Sequence, residues 1–387
     1  MRDIEQIDWS QVLLAQTLVE RAPLWVRLSR TARTIGSAFF RRSIPPVQVD
    51  AGAMLCLRSM VRSDYDVLWS KVMGSIPQKK QEVEIVWPRG FSLDPIKRLR
   101  HFGAAWNAAK CNEGFLDHIV GTVMCLYYLD AIDVFRRSSP QRVLVLAEMQ
   151  PGENALIQYF NARGVPTATL QHGLYIDYGA QQTVNRLNYE ASCAQTFLAW
   201  GEETGELMRG HHSNVEIVVC GAPQIDGVIV EQGPECIYVV FDADINYEEN
   251  RILLKVGKRL GLESGSEIIV CLHPCNKHKL YNFNGCSFLS PADNYSRSGV
   301  VIGHTTTQII KLACYGKRVF KLKSAQPCNR MIPESVRFSD YEDLASKIAQ
   351  ATYPHAWAQA HIAYMGSESL SRYAEFFNRW FPDGDRE

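Results

Sequence analysis

From Arg142 onward, short apolar runs alternate with longer amphipathic runs, and this alternation limits the possible folds more than any other feature. A short apolar run is typical of a buried strand, and an amphipathic run with a 3.6-residue period is typical of a surface helix. Repeated strand–helix units predict parallel sheets, because parallel neighbours need a crossover connection. The predicted strands are residues 142–147, 166–170, 196–200, 215–220, 236–241, 267–272, 299–302 and 318–322, with helices at 154–163, 202–208, 247–260 and 307–315.

The chain has 387 residues, which is more than one hydrophobic core usually supports. Glycine and proline in the stretch 221–226 mark a sharp turn, and we place the domain boundary there. We predict an N-terminal Rossmann-like acceptor domain at 1–221, with a largely helical pattern in its first hundred residues. A Rossmann-like nucleotide-donor domain follows at 222–366, and the apolar spacing in 367–387 predicts a final helix.

Composition indicates an ordinary soluble protein: 46% of residues are hydrophobic, and acids and bases are matched at 41 each. Balanced charge argues against a nucleic-acid binder. The 11 cysteines form no C-x-x-C pair and lie mostly in apolar runs, which is typical of reduced thiols in a cytosolic protein. No window approaches about 18 uninterrupted apolar residues, so we expect a cytoplasmic location.

One segment, residues 24–40, bears on whether the protein also contacts a membrane. Residues 24–40 mix aromatic and aliphatic side chains with several arginines, which is the pattern of a basic amphipathic helix. Such a helix can rest on the inner membrane face through its contact with anionic lipids, or it can pack on its own domain. The sequence leaves both interpretations open.

Polar residues directly after strands are the first candidates for a binding site, because ligands of open α/β sheets bind beyond the carboxyl ends of the strands. His273 and Pro274 follow the strand 267–272, and an imidazole at this place can bind a phosphate oxygen. A lone histidine at a strand end is more often structural.

The strand 299–302 is followed by Gly303 and a run of polar side chains that leads into a helix: His304, Thr305, Thr306 and Thr307. Hydroxyl groups, free backbone N–H groups and the positive end of the helix dipole together predict an anion site. A threonine N-cap satisfies the same amides without a ligand, so this alternative stays open.

Two further strand ends supply candidates for catalysis. Glu148 follows the strand 142–147, and a carboxylate facing the cleft can act as the general base of a sugar transfer. His172 follows the strand 166–170 and can polarise a substrate hydroxyl, or pack as a structural residue. The remaining cleft candidates are Gln171, Gly173, Gly221, Gln224, Asp226 and Asp242.

Asp242 and Asp244 match the D-x-D pattern with which some transferases hold a divalent metal on a nucleotide diphosphate. Two residues are a weak signal, and the pair lies late in the chain for the single-domain fold that uses it. We therefore predict no metal and no cofactor.

The order of these motifs resembles the GT-B capsule and surface-polysaccharide glycosyltransferases, a group that includes CDP-glycerol glycerophosphotransferases, Kdo transferases and bacterial sialyltransferases. The resemblance covers about residues 142–325 and runs through Gln171-His172-Gly173, Trp200-Gly201, the stretch 221–226, His273-Pro274, and the stretch 303–319. It departs from the family at Thr305-Thr306, where Ser-Thr or Ser-Ser is frequent. A basic residue is also frequent where this chain has Cys271 or Leu272.

The resemblance implies a GT-B fold, with two Rossmann-like domains facing a central cleft and a final helix that crosses back to the first domain. It implies donor-phosphate contacts for His273, Thr305 and Thr306, and the role of base for Glu148. The expected donor is CMP-, CDP- or UDP-linked, and the expected acceptor is a saccharide or glycolipid of the cell surface. Two alternatives remain: an isomerase similar to UDP-GlcNAc 2-epimerase, and a non-catalytic scaffold of polysaccharide assembly.

Overall fold

The chain folds into two α/β domains, each built on a parallel sheet of six strands. This confirms the predicted fold class. The computed structural model describes residues 2–13, 24–39, 44, 47–50, 52–60, 62–86, 96, 98–112, 114–148, 150–177, 186, 189–226, 231–273, 276–289, 295, 297–324, 332–350 and 352–381.

The sheet of the first domain has the order β2-β1-β3-β4-β5-β6, and all its pairs are parallel. Its strands are β1 (Met54–Arg58), β2 (Lys80–Glu84), β3 (Arg142–Val145), β4 (Thr167–Leu170), β5 (Thr196–Ala199) and β6 (Glu216–Val219). Alternate side chains of β1 and β3 enter two different apolar clusters, one on each face of the sheet. Helices therefore cover both faces, as a parallel sheet requires.

The described helices of this domain are α1 (Arg2–Glu5), α2 (Trp9–Val12), α3 (Leu24–Phe39), α4 (Ser63–Ser75), α5 (Phe102–Ala108), α6 (Phe115–Val134), α7 (Pro151–Ala162) and α8 (Glu202–His211). Helices occupy most of the described part of the first hundred residues, but the sequence pattern did not predict the strands β1 and β2 that lie there. The sequence of β2 is Lys-Gln-Glu-Val-Glu, and only Val83 is buried because β2 is an edge strand. Such a polar edge strand carries little apolar signal.

The sheet of the second domain has the order β12-β11-β10-β7-β8-β9, again with parallel pairs throughout. Its strands are β7 (Glu231–Val240), β8 (Glu267–Cys271), β9 (Ser287–Phe288), β10 (Arg297–Gly303), β11 (Arg318–Leu322) and β12 (Arg337–Phe338). The described helices are α9 (Tyr247–Ser264), α10 (Thr307–Cys314), α11 (Tyr341–Ile348), α12 (Trp357–His361) and α13 (Gly366–Trp380).

The order of the strands places one switch point in each sheet, where the chain changes direction across the sheet. In the first sheet the switch point lies between β1 and β3, and in the second between β7 and β10. A crevice opens at such a point because the two crossover helices lie on opposite faces. These crevices are the places where a ligand of this fold is expected.

After α12 the chain returns to the first domain along the ends of β5 and β6. The amide of Ala363 donates to Trp200 O at 2.9 Å, and the amide of Ala222 donates to Tyr364 O at 2.9 Å. Gly221 has φ of +82°, and a Cβ there would lie 2.2 Å from Tyr364 O, so the close approach requires glycine. The helix α13 then packs on α4 and buries Tyr373 and Phe377.

The helix α6 is long and apolar enough, by length and composition, to cross a membrane. In the fold it is a core helix, because 61% of its most apolar window is buried. It packs against α3, α5 and α7.

Candidate functional site

The switch point of the second sheet brings together two of the predicted site residues. Asp242 follows β7 and His304 follows β10, and both side chains are buried. The imidazole Nδ1 of His304 lies 3.9 Å from Asp242 Oδ2, and its Nε2 lies 2.6 Å from the hydroxyl of Ser324. Burial, together with the charge of Lys321, lowers the pKa of His304 to about 3. His304 is therefore a neutral imidazole at pH 7.

Lys321 and His273 both act through their charges on the carboxylate of Asp242. Burial raises the pKa of Asp242, whereas hydrogen bonds from Ala243 N–H and the Asn246 amide and the charges of His273 and Lys321 oppose that rise. The ammonium of Lys321, a buried residue of β11, also lies 3.5 Å from Thr305 Oγ1. An imidazole, an ammonium and a hydroxyl thus converge on one sheet edge, which is a donor set suited to an anion.

Asn276 fixes the loop that carries His273. Its side-chain oxygen accepts from the backbone N–H of His273 at 2.7 Å, and its amide donates to Asp242 O at 2.8 Å. The same amide donates to Asp244 Oδ1 at 2.9 Å, and Asp244 also accepts from Tyr281 OH. Asp242, through its backbone carbonyl, and Asp244, through its carboxylate, therefore join the loops after β7 and β8. Pro274 lies outside the described residues.

The helix α10 begins beside this cluster and faces the first domain. Thr306 caps it, since its hydroxyl accepts from Gln308 N–H at 3.3 Å. The hydroxyl of Thr307 accepts from the N–H of Leu174 at 3.1 Å, which is a contact between the two domains. The capping role of Thr306 is thus observed, and the start of α10 lies against the loop that follows β4.

That loop carries His172. Its imidazole is half-buried and lies edge-on to the rings of Tyr65 and Tyr175, with centroid distances of 5.3 and 5.9 Å. Gln171 is buried and structural: its amide donates to Gly173 O and Thr204, and its oxygen accepts from Trp200 N–H.

Gly173 borders open space, because a Cβ there would meet no atom within 4 Å. No other described residue therefore crowds the backbone at Gly173.

Glu148 is placed in the interior. Its carboxylate accepts hydrogen bonds from Ser192 Oγ at 2.7 Å and from the N–H groups of Cys193 and Ala194. Only 3% of the residue is exposed, and burial raises its pKa against these three hydrogen bonds. This arrangement favours a structural role, the tethering of the loop before β5. The general-base role of Glu148 stays a prediction.

A second buried carboxylate fills the switch point of the first sheet. Glu153 Oε1 accepts from the N–H and the hydroxyl of Ser59, which follows β1, and Oε2 accepts from Ala147 N–H, which follows β3. All three distances are 2.6 Å. In the first sheet, the polar groups that follow β1 and β3 are thus hydrogen-bonded by Glu153 at the crevice. In the second sheet, cationic and hydroxyl groups lie at the crevice instead.

The candidates in the turn after β6 lie at the connection between the domains. Asp226 accepts from Lys71 Nζ at 2.7 Å, and Lys71 also donates to Pro223 O. Gln224 has a buried side-chain oxygen without a hydrogen-bond partner within the described residues. With Gly221, these residues lie where the chain after α12, here called the return segment (residues 362–366), reaches the first domain. They do not belong to the cluster around Asp242.

Sequence reasoning missed Lys321, Asn276 and Ser324. A lysine between the apolar residues Phe320 and Leu322 of β11 is the available signal, since lysine is almost never fully buried unless paired. Asn276 and Ser324 lie in loops and carry no such signal.

These two facing Rossmann-like sheets, with the return of the last helix to the first domain, define the GT-B fold. No family model matches the sequence, and no curated protein matches it. Solved structures match the fold over most of both chains.

UDP-N-acetylglucosamine 2-epimerase from Rickettsia bellii is 12% identical, with a TM-score of 0.51 over 84% of this chain and 95% of its own. The glycosyltransferase SnogD from Streptomyces nogalater is 12% identical, with a TM-score of 0.51 over 85% and 98%. MnaA from S. aureus, in a co-structure with UDP, is 11% identical, with a TM-score of 0.52 over 86% and 97%. At these identities the likeness concerns the fold.

Proposed function

We propose that the protein is a glycosyltransferase that holds the phosphates of a nucleotide-activated donor at the switch point of the second sheet. The observation that supports this most is that the ammonium of Lys321 lies 3.5 Å from Thr305 Oγ1 beside the start of α10. The charges of Lys321 and His273 also act on the carboxylate of Asp242, which follows the neighbouring strand. Phosphate oxygens bind well to such donors at a helix N-terminus. The loop of His172 lies opposite, where an acceptor hydroxyl would approach.

The proposed reaction is a direct displacement. The donor set of the second domain stabilises negative charge on the departing nucleotide, and a base in the first domain takes the proton of the acceptor hydroxyl. We assign the base to His172, because histidine is the most common general base, its loop lies against the start of α10, and Glu148 is enclosed by its own loop. A CMP-, CDP- or UDP-linked donor, a surface saccharide or glycolipid acceptor and a cytoplasmic location are proposed from the motif resemblance.

Calorimetric titration with CMP, CDP and UDP tests the donor site. We expect at least one nucleotide to bind, and we expect Lys321→Met and His273→Ala to weaken it by about tenfold to a hundredfold, the effect of losing a charge-assisted hydrogen bond. His355→Ala is the matched control, because His355 is exposed in the same domain and lies outside the cluster. Absence of binding by all three nucleotides would favour the non-catalytic scaffold.

A second measurement separates the two candidate bases. We expect His172→Gln to lower kcat by about a hundredfold, because loss of a general base has an effect of this size. Glu148→Gln should leave kcat of the folded protein nearly unchanged and lower its stability. The amide oxygen can still accept from Cys193 and Ala194, but the amide nitrogen that replaces Oε2 cannot accept from the Ser192 hydroxyl. The reverse pattern would restore Glu148 as the base.

The isomerase alternative uses the same phosphate site without an acceptor. Incubation of the protein with UDP-GlcNAc alone distinguishes the two, with the products separated by chromatography. Formation of an epimer would favour the isomerase. Slow hydrolysis or no reaction, followed by transfer once a saccharide is added, would favour the glycosyltransferase.

A further inference from the structure

The helix α3 packs on its domain with its polar side inward. Thr31 is buried, and the guanidinium of Arg27 pairs with Asp117 of α6. The apolar side chains point outward instead, with Trp25 72% exposed and Leu28 50% exposed. Amphipathic helices of globular proteins normally have the opposite orientation. This helix therefore presents an apolar stripe to the solvent.

A second segment around the start of α6 has the same character. Arg27 of α3 contacts Asp117, and Trp106 of α5 lies edge-on to His118, so both helices meet α6 in its first turn. Phe115, the first residue of α6, is itself 72% exposed. The described chain exposes fourteen large apolar side chains. Eight of them lie in one layer formed by α3, residues 96–102 and the start of α6: Leu24, Trp25, Leu28, Ile35, Ile96, Leu99, Phe102 and Phe115.

The two stretches of sequence that build most of this surface carry cations and no acids, although Asp94 and Glu113 border the second stretch. Arg27, Arg98 and Arg100 pair with aspartates of α6. The stretch 24–39 contains three arginines and no acid, and the stretch 95–112 contains lysines and arginines and no acid. Arg33 and Lys110 are exposed beside the apolar side chains. A surface of aromatic and aliphatic groups among cations is complementary to an anionic bilayer, in which apolar groups enter the acyl boundary and cations contact phosphates.

We propose that α3, the segment 96–112 and Phe115 form a docking surface for a membrane that contains anionic lipids. Trp25 and Phe115 enter the interface, and Arg33 and Lys110 lie at the headgroups. A second copy of this chain fits less well, because a symmetric contact would place the same cations against each other. The proposal is independent of the transferase assignment.

Sedimentation of the protein with vesicles tests this surface. We expect binding to phosphatidylcholine vesicles that contain phosphatidylglycerol, little binding to phosphatidylcholine alone, and weakening by salt. Trp25→Ala combined with Phe115→Ala should lower the partition coefficient by about tenfold or more, through lost apolar burial. Arg33→Gln should lower it by about fivefold.

The matched control is Leu262→Ala combined with Phe288→Ala, since these exposed apolar residues lie in the second domain. It should leave vesicle binding unchanged, and thermal unfolding should be the same for all variants because the altered side chains are exposed. Equal vesicle binding by the Trp25/Phe115 variant and the control would overturn the proposal. So would a vesicle-free dimer that the Trp25/Phe115 variant dissociates, because the surface would then bind a second copy.

Discussion

At the scale of residues, the two buried carboxylates Glu148 and Glu153 carry a pH dependence. Burial raises the pKa of Glu153 to about 7, so the folded state binds its proton more tightly than the unfolded state does. The resulting stability is fully present below the unfolded pKa near 4.5 and is lost as pH rises through about 7. We expect the free energy of unfolding to fall by up to about 3 kcal/mol over this window.

The measurement is urea unfolding at several pH values, for the wild type and for Glu153→Gln. Because Glu148 and other groups also titrate, the informative quantity is the difference between the two proteins at each pH. The free energy of unfolding of the wild type should fall relative to that of Glu153→Gln as the pH rises. If it stays constant from about pH 5 to 8, the carboxyl of Glu153 has an ordinary pKa in the folded state.

At the scale of elements, two neighbouring hydroxyls at the start of α10 have different roles: Thr306 is structural, and Thr305 is a proposed ligand contact. Thr306 caps the helix, so Thr306→Ala should destabilise the protein by about 1 kcal/mol, and Thr306→Ser should retain the cap. Thr305 lies near Lys321 and does not cap, so Thr305→Val should weaken nucleotide binding more than it lowers stability. Urea unfolding and calorimetry on the same variants check this, and a reversed ranking would contradict it.

At the scale of the whole molecule, the return of the chain to the first domain depends on a close backbone approach at Gly221. Gly221→Ala adds a Cβ 2.2 Å from Tyr364 O at a φ of +82°. Gly164→Ala is the matched control, with φ of +71° and open space. Both lose about 1–2 kcal/mol from the left-handed backbone, and only Gly221→Ala should lose more. Equal losses of unfolding free energy would mean that the return segment moves aside.

The periodicity of the sequence predicted most strands and helices from Arg142 onward to within a few residues, because apolar spacing reports directly on burial. It did not predict β1 and β2. The run β1 is apolar with no alternation, so periodicity alone does not distinguish it from a buried helix segment, and β2 is polar at the edge of the sheet. For the candidate site, it selected strand ends as the place to look. It could not rank them, because Gln171, Glu148 and His304 all follow strands and differ only in what surrounds them.

The sequence by itself determined that this chain forms parallel α/β units and which polar groups stand at the ends of the strands. Only the tertiary structure decided the order of strands within each sheet, and hence that Asp242 and His304 meet at one switch point while Glu153 fills the other. The physical reason is that periodicity is a local property of the chain. The partners, burial and pKa of a side chain depend on residues that are distant in sequence and are brought near by folding.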